Sequence, residues 1–271
     1  MAGISSDSRA KVLAELEPKL AAASLPLAQE LFSVLAIVDS SAALRRALTD
    51  PSRQGAEKAA LIGSLVRGKV SAEAAQIVDS LANERWANAR DFGDALETVA
   101  TTVAVAVAEN QGPGAAGLEQ LENDLFSFNK TVESDHQVQR ALSEPQASAE
   151  AKRKLALALV PGAGQAAQLL IGQAVSEPRG ARPAKLVEQF ATLAAARQER
   201  WIATVTVGQP LSETQESRLA AGLNNLYGRE LKVNISVDPA LIGGVRVRVG
   251  DEVVDASVLT RLGELRRQLA G

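Results

Sequence analysis

Cysteine is absent from this 271-residue chain. Its absence excludes disulfides, thiolate nucleophiles and zinc–thiolate sites, and agrees with a reducing compartment. Histidine occurs once, as His136, so neither a histidine triad nor a two-histidine metal site can be assembled. Aromatic residues make up 3% of a chain that is 46% hydrophobic. The apolar content is therefore mostly Ala, Leu and Val, which favours packed helices over aromatic-rich sheets. A formal net charge of −3 leaves no basic footprint for nucleic acid or an anionic membrane surface. The run of about 18 apolar residues needed to cross a bilayer is also missing. The nearest stretch, residues 99–108, is short and interrupted by Thr101 and Thr102. Residues 1–9 lack the apolar core of a signal peptide. A soluble chain is expected, without direct membrane insertion and reaching a membrane only through partners.

What is present is a repeat. Displacing the chain on itself by 94 positions aligns residues 27–66 with 121–160 without a gap, and 14 of the 40 pairs are identical. Leu31-Phe32-Ser33 meets Leu125-Phe126-Ser127, and Arg46-Ala47-Leu48-Thr49-Asp50-Pro51 meets Arg140-Ala141-Leu142-Ser143-Glu144-Pro145. Lys58, Leu61, Leu65 and Val66 match Lys152, Leu155, Leu159 and Val160, and the same offset pairs Arg85 with Arg179. Chance matching of alanine-rich sequence would not keep Phe, Pro, Lys and Arg in one register. A duplicated domain is expected.

Each copy has helical periodicity. Leu27, Leu31, Val34, Leu35 and Val38 fall on one helical face, behind a Ser24 cap with Pro26 in the first turn. Asp50-Pro51 breaks the chain, because a residue before proline is steered away from helical angles. Ser71 caps a helix that buries Ala74, Ile77, Val78 and Leu81. Phe92, Leu96, Val99, Val103 and Val107 then define a long helix joining the two copies, stopped at Gln111-Gly112-Pro113-Gly114. From Trp201 the period changes from 3.6 to 2. Residues 201–207 are rich in β-branched side chains, and Leu231, Val233, Ile235 and Val237 alternate with polar residues. Between them a capping box at Ser212-Glu213-Thr214-Gln215 opens a helix with Leu219, Leu223 and Leu226 inward, closing at Gly228. Val245, Val247 and Val249 alternate with Arg246 and Arg248; a turn at Gly250-Asp251 returns the chain as Val253-Val254. Ser257 then caps a last helix carrying Leu259, Leu262, Leu265 and Leu269. The expected architecture is mainly α: tandem helical bundles at 1–100 and 101–198, followed by a small mixed α/β domain at 199–271.

The stretch 237–258 carries a resemblance. Asp238, Pro239, Leu241, Ile242, Gly243, Gly244, Gly250, Asp251, Asp255 and Ser257 stand in an order that resembles the C-terminal signature of F-type ATP synthase delta subunits, the family of the mitochondrial oligomycin-sensitivity-conferring protein. The lead-in Val205 to Pro210-Leu211-Ser212 fits as well. Ordinary members have one helical domain, whereas this chain has two, like the lengthened actinobacterial form. With no membrane span it is not a fusion with subunit b, so a separate b subunit is implied. The family's Tyr-Ala-x-Ala-Leu is replaced by Ser8-Arg9-Ala10-Lys11-Val12-Leu13 in copy one and by Val103-Ala104-Val105-Ala106-Val107 in copy two. Copy two, contiguous with the tail, is the better match to the ordinary domain.

The resemblance implies a non-catalytic stator subunit on the cytoplasmic face of the bacterial plasma membrane, one copy per complex. It would join the N-terminal helices of the alpha subunits to the C-terminal region of subunit b, with the beta subunits as a further contact, and resist rotor torque. No catalytic residue, cofactor or metal is expected. Apolar faces suited to a partner helix are assigned to Val12, Leu13, Leu16, Ile77 and Leu81 in copy one, and to Val103, Val107, Leu169, Leu170 and Ile171 in copy two. Arg246 and Arg248 would face subunit b; otherwise they are a solvated strand face. Gly243-Gly244 lacks the Lys-Ser/Thr of a phosphate loop and precedes a strand, so it is expected to be a bend. Pro161-Gly162-Ala163-Gly164 is expected to be an interhelical turn, and His136 a solvated loop or helix end. The rival reading is an α/β small-ligand or phosphate-binding enzyme with a helical regulatory region, and a third is a general helical scaffold. The enzyme would need a nucleophile–base pair, metal cluster or glycine-rich strand-to-helix turn.

Overall fold

Side-chain caps set many of the helix starts. The hydroxyls of Ser24, Ser41, Ser71 and Ser148 each accept a backbone N–H from the first turn, as does the Asp135 carboxylate, satisfying donors that would otherwise be orphaned. The structure is a computed structural model and describes residues 3–228, 231–241, 243–250 and 252–255. The helices are α1 Ile4–Leu16, α2 Leu25–Asp39, α3 Ala42–Thr49, α4 Gly55–Val66, α5 Ala72–Asn83 and α6 Asp91–Glu109. They are followed by α7 Ala116–Ser134, α8 His136–Ser143, α9 Ala149–Leu159, α10 Gln165–Ser176 and α11 Pro183–Gln198. Contacts divide the chain into two compact units, Met1–Gln111 with Gln120–Leu193, and Gly112–Glu119 with Ala194–Gly271.

Within the helical unit α6 is the axis. Phe92, Ala95, Leu96, Val99, Ala100, Val103 and Ala104 are all fully buried, and α1, α2, α3, α5 and α10 all pack against this helix. The long joining helix expected from the sequence is thus a single element, and position 100/101 falls inside it. Its start is tied to α1: Ser5 Oγ donates to Asp91 Oδ2 at 2.6 Å, and the Asn88 N–H donates to the same oxygen at 3.1 Å. Burial pushes the Asp91 carboxyl up, but these hydrogen bonds outweigh it and hold the group below its ordinary value. Element lengths recur at the displacement seen in the sequence. α3 and α8 are both eight residues long, and both end in a residue before proline with φ near −64° and ψ near 117°. His136 is the exposed first residue of α8, and 161–164 form the turn between α9 and α10. Among the described residues no single helix is long and apolar enough to cross a membrane.

The second unit holds β1 Ile202–Val207, α12 Glu213–Tyr227, β2 Lys232–Val237, β3 Val245–Val249 and β4 Glu252–Asp255. The sheet order is β2-β1-β3-β4. β1 and β2 are parallel, joined by α12, whereas β3 is antiparallel to both β1 and β4. Ala203, Val205 and Val207 on β1, Val247 and Val249 on β3, and Leu223 on α12 form its core. Both halves of the expected capping box at Ser212 are present. One inward residue of α12 differs from expectation: Leu226 is exposed, and the stripe runs Leu219, Leu223, Tyr227 at four-residue spacing. The expected C-terminal helix with Leu259, Leu262, Leu265 and Leu269 lies outside the described residues.

Gly208, just beyond β1, shows why one position admits no side chain: a Cβ there would sit 2.3 Å from the Leu241 carbonyl oxygen. Replacing Gly208 with Ala should cost about 1–3 kcal/mol through overpacking against rigid backbone. Urea denaturation followed by far-UV dichroism is the check; wild-type stability in Gly208→Ala would refute this close approach.

Candidate docking surfaces

Charge is concentrated at one point of the helical unit. The chain from Pro178 to Ala181 makes a tight turn closed by Ala181 N–H donating to the Pro178 carbonyl at 2.8 Å. Arg179 and Gly180 both have positive φ, 52° and 83°, the signature of a type I′ turn. A non-glycine residue adopts that conformation at a cost of about 1 kcal/mol or more, so something must hold Arg179 there. Its side chain, only 8% exposed, reaches Asp39 at 2.5 Å, Glu97 at 2.9 Å and Asp94 at 3.0 Å. Arg90 adds a hydrogen bond to the Arg179 carbonyl at 3.0 Å. Gly93 on α6 makes room: a Cβ there would lie 2.6 Å from Arg179 Nη2. Burial pushes the Glu97 carboxyl above the usual glutamate range despite the pull of Arg179, and Glu97 Oε1 has no hydrogen-bond partner among the described residues.

Two clefts open on this unit. The first, about 610 Å³, runs past Arg9 and Leu13 of α1, Glu97 and Thr101 of α6, and Phe190 of α11. The second, about 970 Å³, lies between α7, α8 and the start of α11. Asn129 Nδ2 donates to the Ala184 carbonyl at 3.0 Å and fastens α7 to α11 beneath it. Phe126 stands at its edge with 66% of its surface exposed.

The apolar residues assigned to partner grooves serve mainly as core. Val12 and Leu16 on α1, Ile77 and Leu81 on α5, Val103 and Val107 on α6, and Leu170 and Ile171 on α10 are all buried. Leu13 and Leu169 are half-buried and keep accessible surface; Leu13 lines the first cleft. Arg246 and Arg248 are exposed on β3 between Val245, Val247 and Val249. The described signature residues lie in the loop and hairpin of the sheet. Asp238 donates its N–H to the Val207 carbonyl at 2.8 Å and accepts from Leu241 at 3.0 Å through its own carbonyl. The Asp238 side chain also accepts the Ala240 N–H at 2.9 Å, Pro239 sits in that turn, and Leu241 is buried. Gly243, Gly244 and Gly250 take φ of 67°, 83° and 56°, so Gly243-Gly244 is a bend entering β3. Asp255 pairs in register with Arg246, while Ile242, Asp251 and Ser257 lie outside the described residues. Arg179, Gly93 and Phe126 were not among the sequence candidates; the clue available was the Pro-Arg-Gly turn signal at 178–180.

Replacing Arg179 with Ala strands three carboxylates and should destabilise the helical unit by about 3–5 kcal/mol. Arg179→Lys should recover only part of this, since an ammonium cannot fork between partners. The raised Glu97 group gives the sign of the pH effect. Its stabilising contribution is fully present below the unfolded pKa and is lost as pH rises through the folded one. Denaturant midpoints of Arg179→Ala should therefore rise from about pH 7 towards about pH 5; a flat or falling profile would exclude this cluster as their source.

The sequence profile of the family described as ATP synthase delta (OSCP) subunit matches residues 99–269. The "ATP synthase subunit delta" of Renibacterium salmoninarum is 82% identical over 271 residues, covering 100% of both chains. That of Pseudarthrobacter chlorophenolicus is 66% identical over 275 residues, again with 100% coverage of each. The Kocuria rhizophila protein of the same name is 46% identical over 269 residues, 99% of each chain. Among solved structures, a chain of the Toxoplasma gondii mitochondrial ATP synthase hexamer gives 22% identity over 65% of this chain and 98% of its own, with a TM-score of 0.33. That superposition is too loose to bear on the fold. End-to-end identity with bacterial delta subunits, together with a profile match over more than half the sequence, makes this chain a member of the ATP synthase delta (OSCP) subunit family.

Proposed function

We propose that this chain is a non-catalytic stator subunit of a proton-translocating ATP synthase on the cytoplasmic face of the plasma membrane. In this reading the helical unit grips the N-terminal helices of the alpha subunits, with beta as a further contact, and the α/β unit holds the C-terminal region of subunit b. The catalytic head is thereby kept from turning with the rotor. The observation that carries the proposal is the end-to-end match to delta subunits. The half-buried Leu13 and Leu169 are the accessible members of the two apolar stripes, so they are the residues offered to alpha helices. The exposed face of β3 at Arg246 and Arg248 is offered to b.

We further propose that residues 1–100 and 101–198 arose by duplication. The recurrence of eight-residue helices α3 and α8, with the same break before Pro51 and Pro145, supports this. Because the profile match begins at residue 99, the second copy is read as the family's ordinary domain and the first as an addition that braces it. Removing the first 98 residues would cut α6 within its buried span, so binding is best tested on the full chain. Labelled peptides from the alpha N-terminus and the b C-terminus should each bind it in fluorescence anisotropy. Leu169→Asp should weaken the alpha peptide, and Arg248→Glu the b peptide, each by about tenfold, roughly 1.4 kcal/mol. Binding of neither peptide would sink the stator reading.

A further inference from the structure

The repeat supplies a comparison between two equivalent grooves, one filled and one empty of protein among the described residues. In the first, α2 and α6 present Asp39 and Asp94, and the Arg179 turn sits between them, with α10 packed against both helices. In the second, α7 and α11 present Glu133 and Glu188, 94 positions further along, on the walls of the 970 Å³ cleft. Phe32 in the first copy is 4% exposed, whereas its counterpart Phe126 is 66% exposed. Around Phe126 the cleft has an apolar floor, with Val132 and Leu142 buried beneath it. Phe126 carries that apolar surface out to the rim of the cleft.

Charge decides what docks. Lys130, Arg140, Arg182 and Lys185 line this cleft beside Glu133 and Glu188. Glu97, one of the three carboxylates that hold Arg179, becomes Ala191. Lys185 is engaged by Glu188 at 2.8 Å; Lys130, Arg140 and Arg182 form no ion pair among the described residues. The cleft wall thus carries four cations against two carboxylates, whereas three carboxylates surround Arg179.

We propose that the α7–α8–α11 groove is a docking site for an acidic amphipathic helix of another protein. Apolar side chains at i, i+3 and i+4 would cover Phe126, and carboxylates would engage Arg140 and Arg182. This surface is separate from the alpha and b contacts proposed above and does not depend on them.

The test uses the purified full-length chain and two designed helical peptides with leucine at i, i+3, i+4 and i+7. One carries glutamate at the remaining positions and the other lysine. The glutamate peptide is expected to bind at least about tenfold more tightly in anisotropy. Phe126→Ser should weaken it by a similar factor, and the double variant Arg140→Glu/Arg182→Glu should reverse the preference. Binding of neither peptide, equal binding of both, or binding indifferent to these exposed substitutions would overturn the proposal. So would sedimentation showing self-association lost in Phe126→Ser, which would make a second copy the occupant. The alpha and b peptides should bind all of these variants unchanged, so this proposal can fail while the stator reading stands.

Discussion

The helical unit depends on the burial of α6 from every side. Fifteen of its nineteen residues are buried, more than any single packing partner could cover, since one neighbour shields only a stripe. The helix therefore needs α1, α2, α3 and α5 from the sequence before it and α10 from the sequence after it. Alanines at 95, 100, 104, 106 and 108 let those neighbours approach closely, because interaxial distance follows side-chain size. A chain cut within α6 would leave both parts with an exposed apolar face. The two repeated stretches thus share a core instead of each completing one.

Local structure was legible because its causes are local. The caps at Ser24, Ser71 and Ser212, the breaks before Pro51 and the β alternation after Trp201 are all set by near neighbours, and the structure has them where the pattern placed them. Long-range consequences were not legible. Arg179 is a solvated turn residue by any local rule, yet two of its three carboxylate partners lie 140 and 82 positions away. The Leu-Phe-Ser segments at 31–33 and 125–127 are identical, but one phenylalanine is core and the other surface. No local pattern can separate them, since the difference is what packs on top. The apolar stripes on α1, α5, α6 and α10 carry the same ambiguity. Helical periodicity shows that a face is apolar and does not say whether its cover is intramolecular.

The tail shows a different relation between pattern and cause. Its signature residues resemble a family motif by sequence alone, and the structure supplies a physical reason for several of them. Asp238 ties the end of β2 to the end of β1 through the Val207 carbonyl, and its side chain holds the Ala240 N–H. Leu241 is thereby drawn over Gly208, where a side chain would collide with its carbonyl. Gly243, Gly244 and Gly250 occupy positive φ, which any residue with a Cβ adopts at a penalty. The motif is one of backbone direction: it turns β2 into β3 and β3 into β4. That explains why it contains glycines and a turn-forming Asp-Pro.

A subunit proposed to resist torque must transmit force without yielding internally, which puts the join between the repeated stretches under particular demand. Apolar contact alone is non-directional and lets helices slide at little cost. The Arg179 cluster is directional. Displacing the 178–181 turn would separate one guanidinium from three carboxylates, one of them raised in pKa by burial, and would leave those charges partly desolvated and unmatched. Uncompensated buried charge costs more than the pair ever contributed to folding, so the cluster resists displacement more strongly than it stabilises the resting state. Gly93 sharpens the fit, since only glycine lets the guanidinium lie against α6. Registry of one repeated stretch against the other, more than net stability, is what this ionic contact supplies.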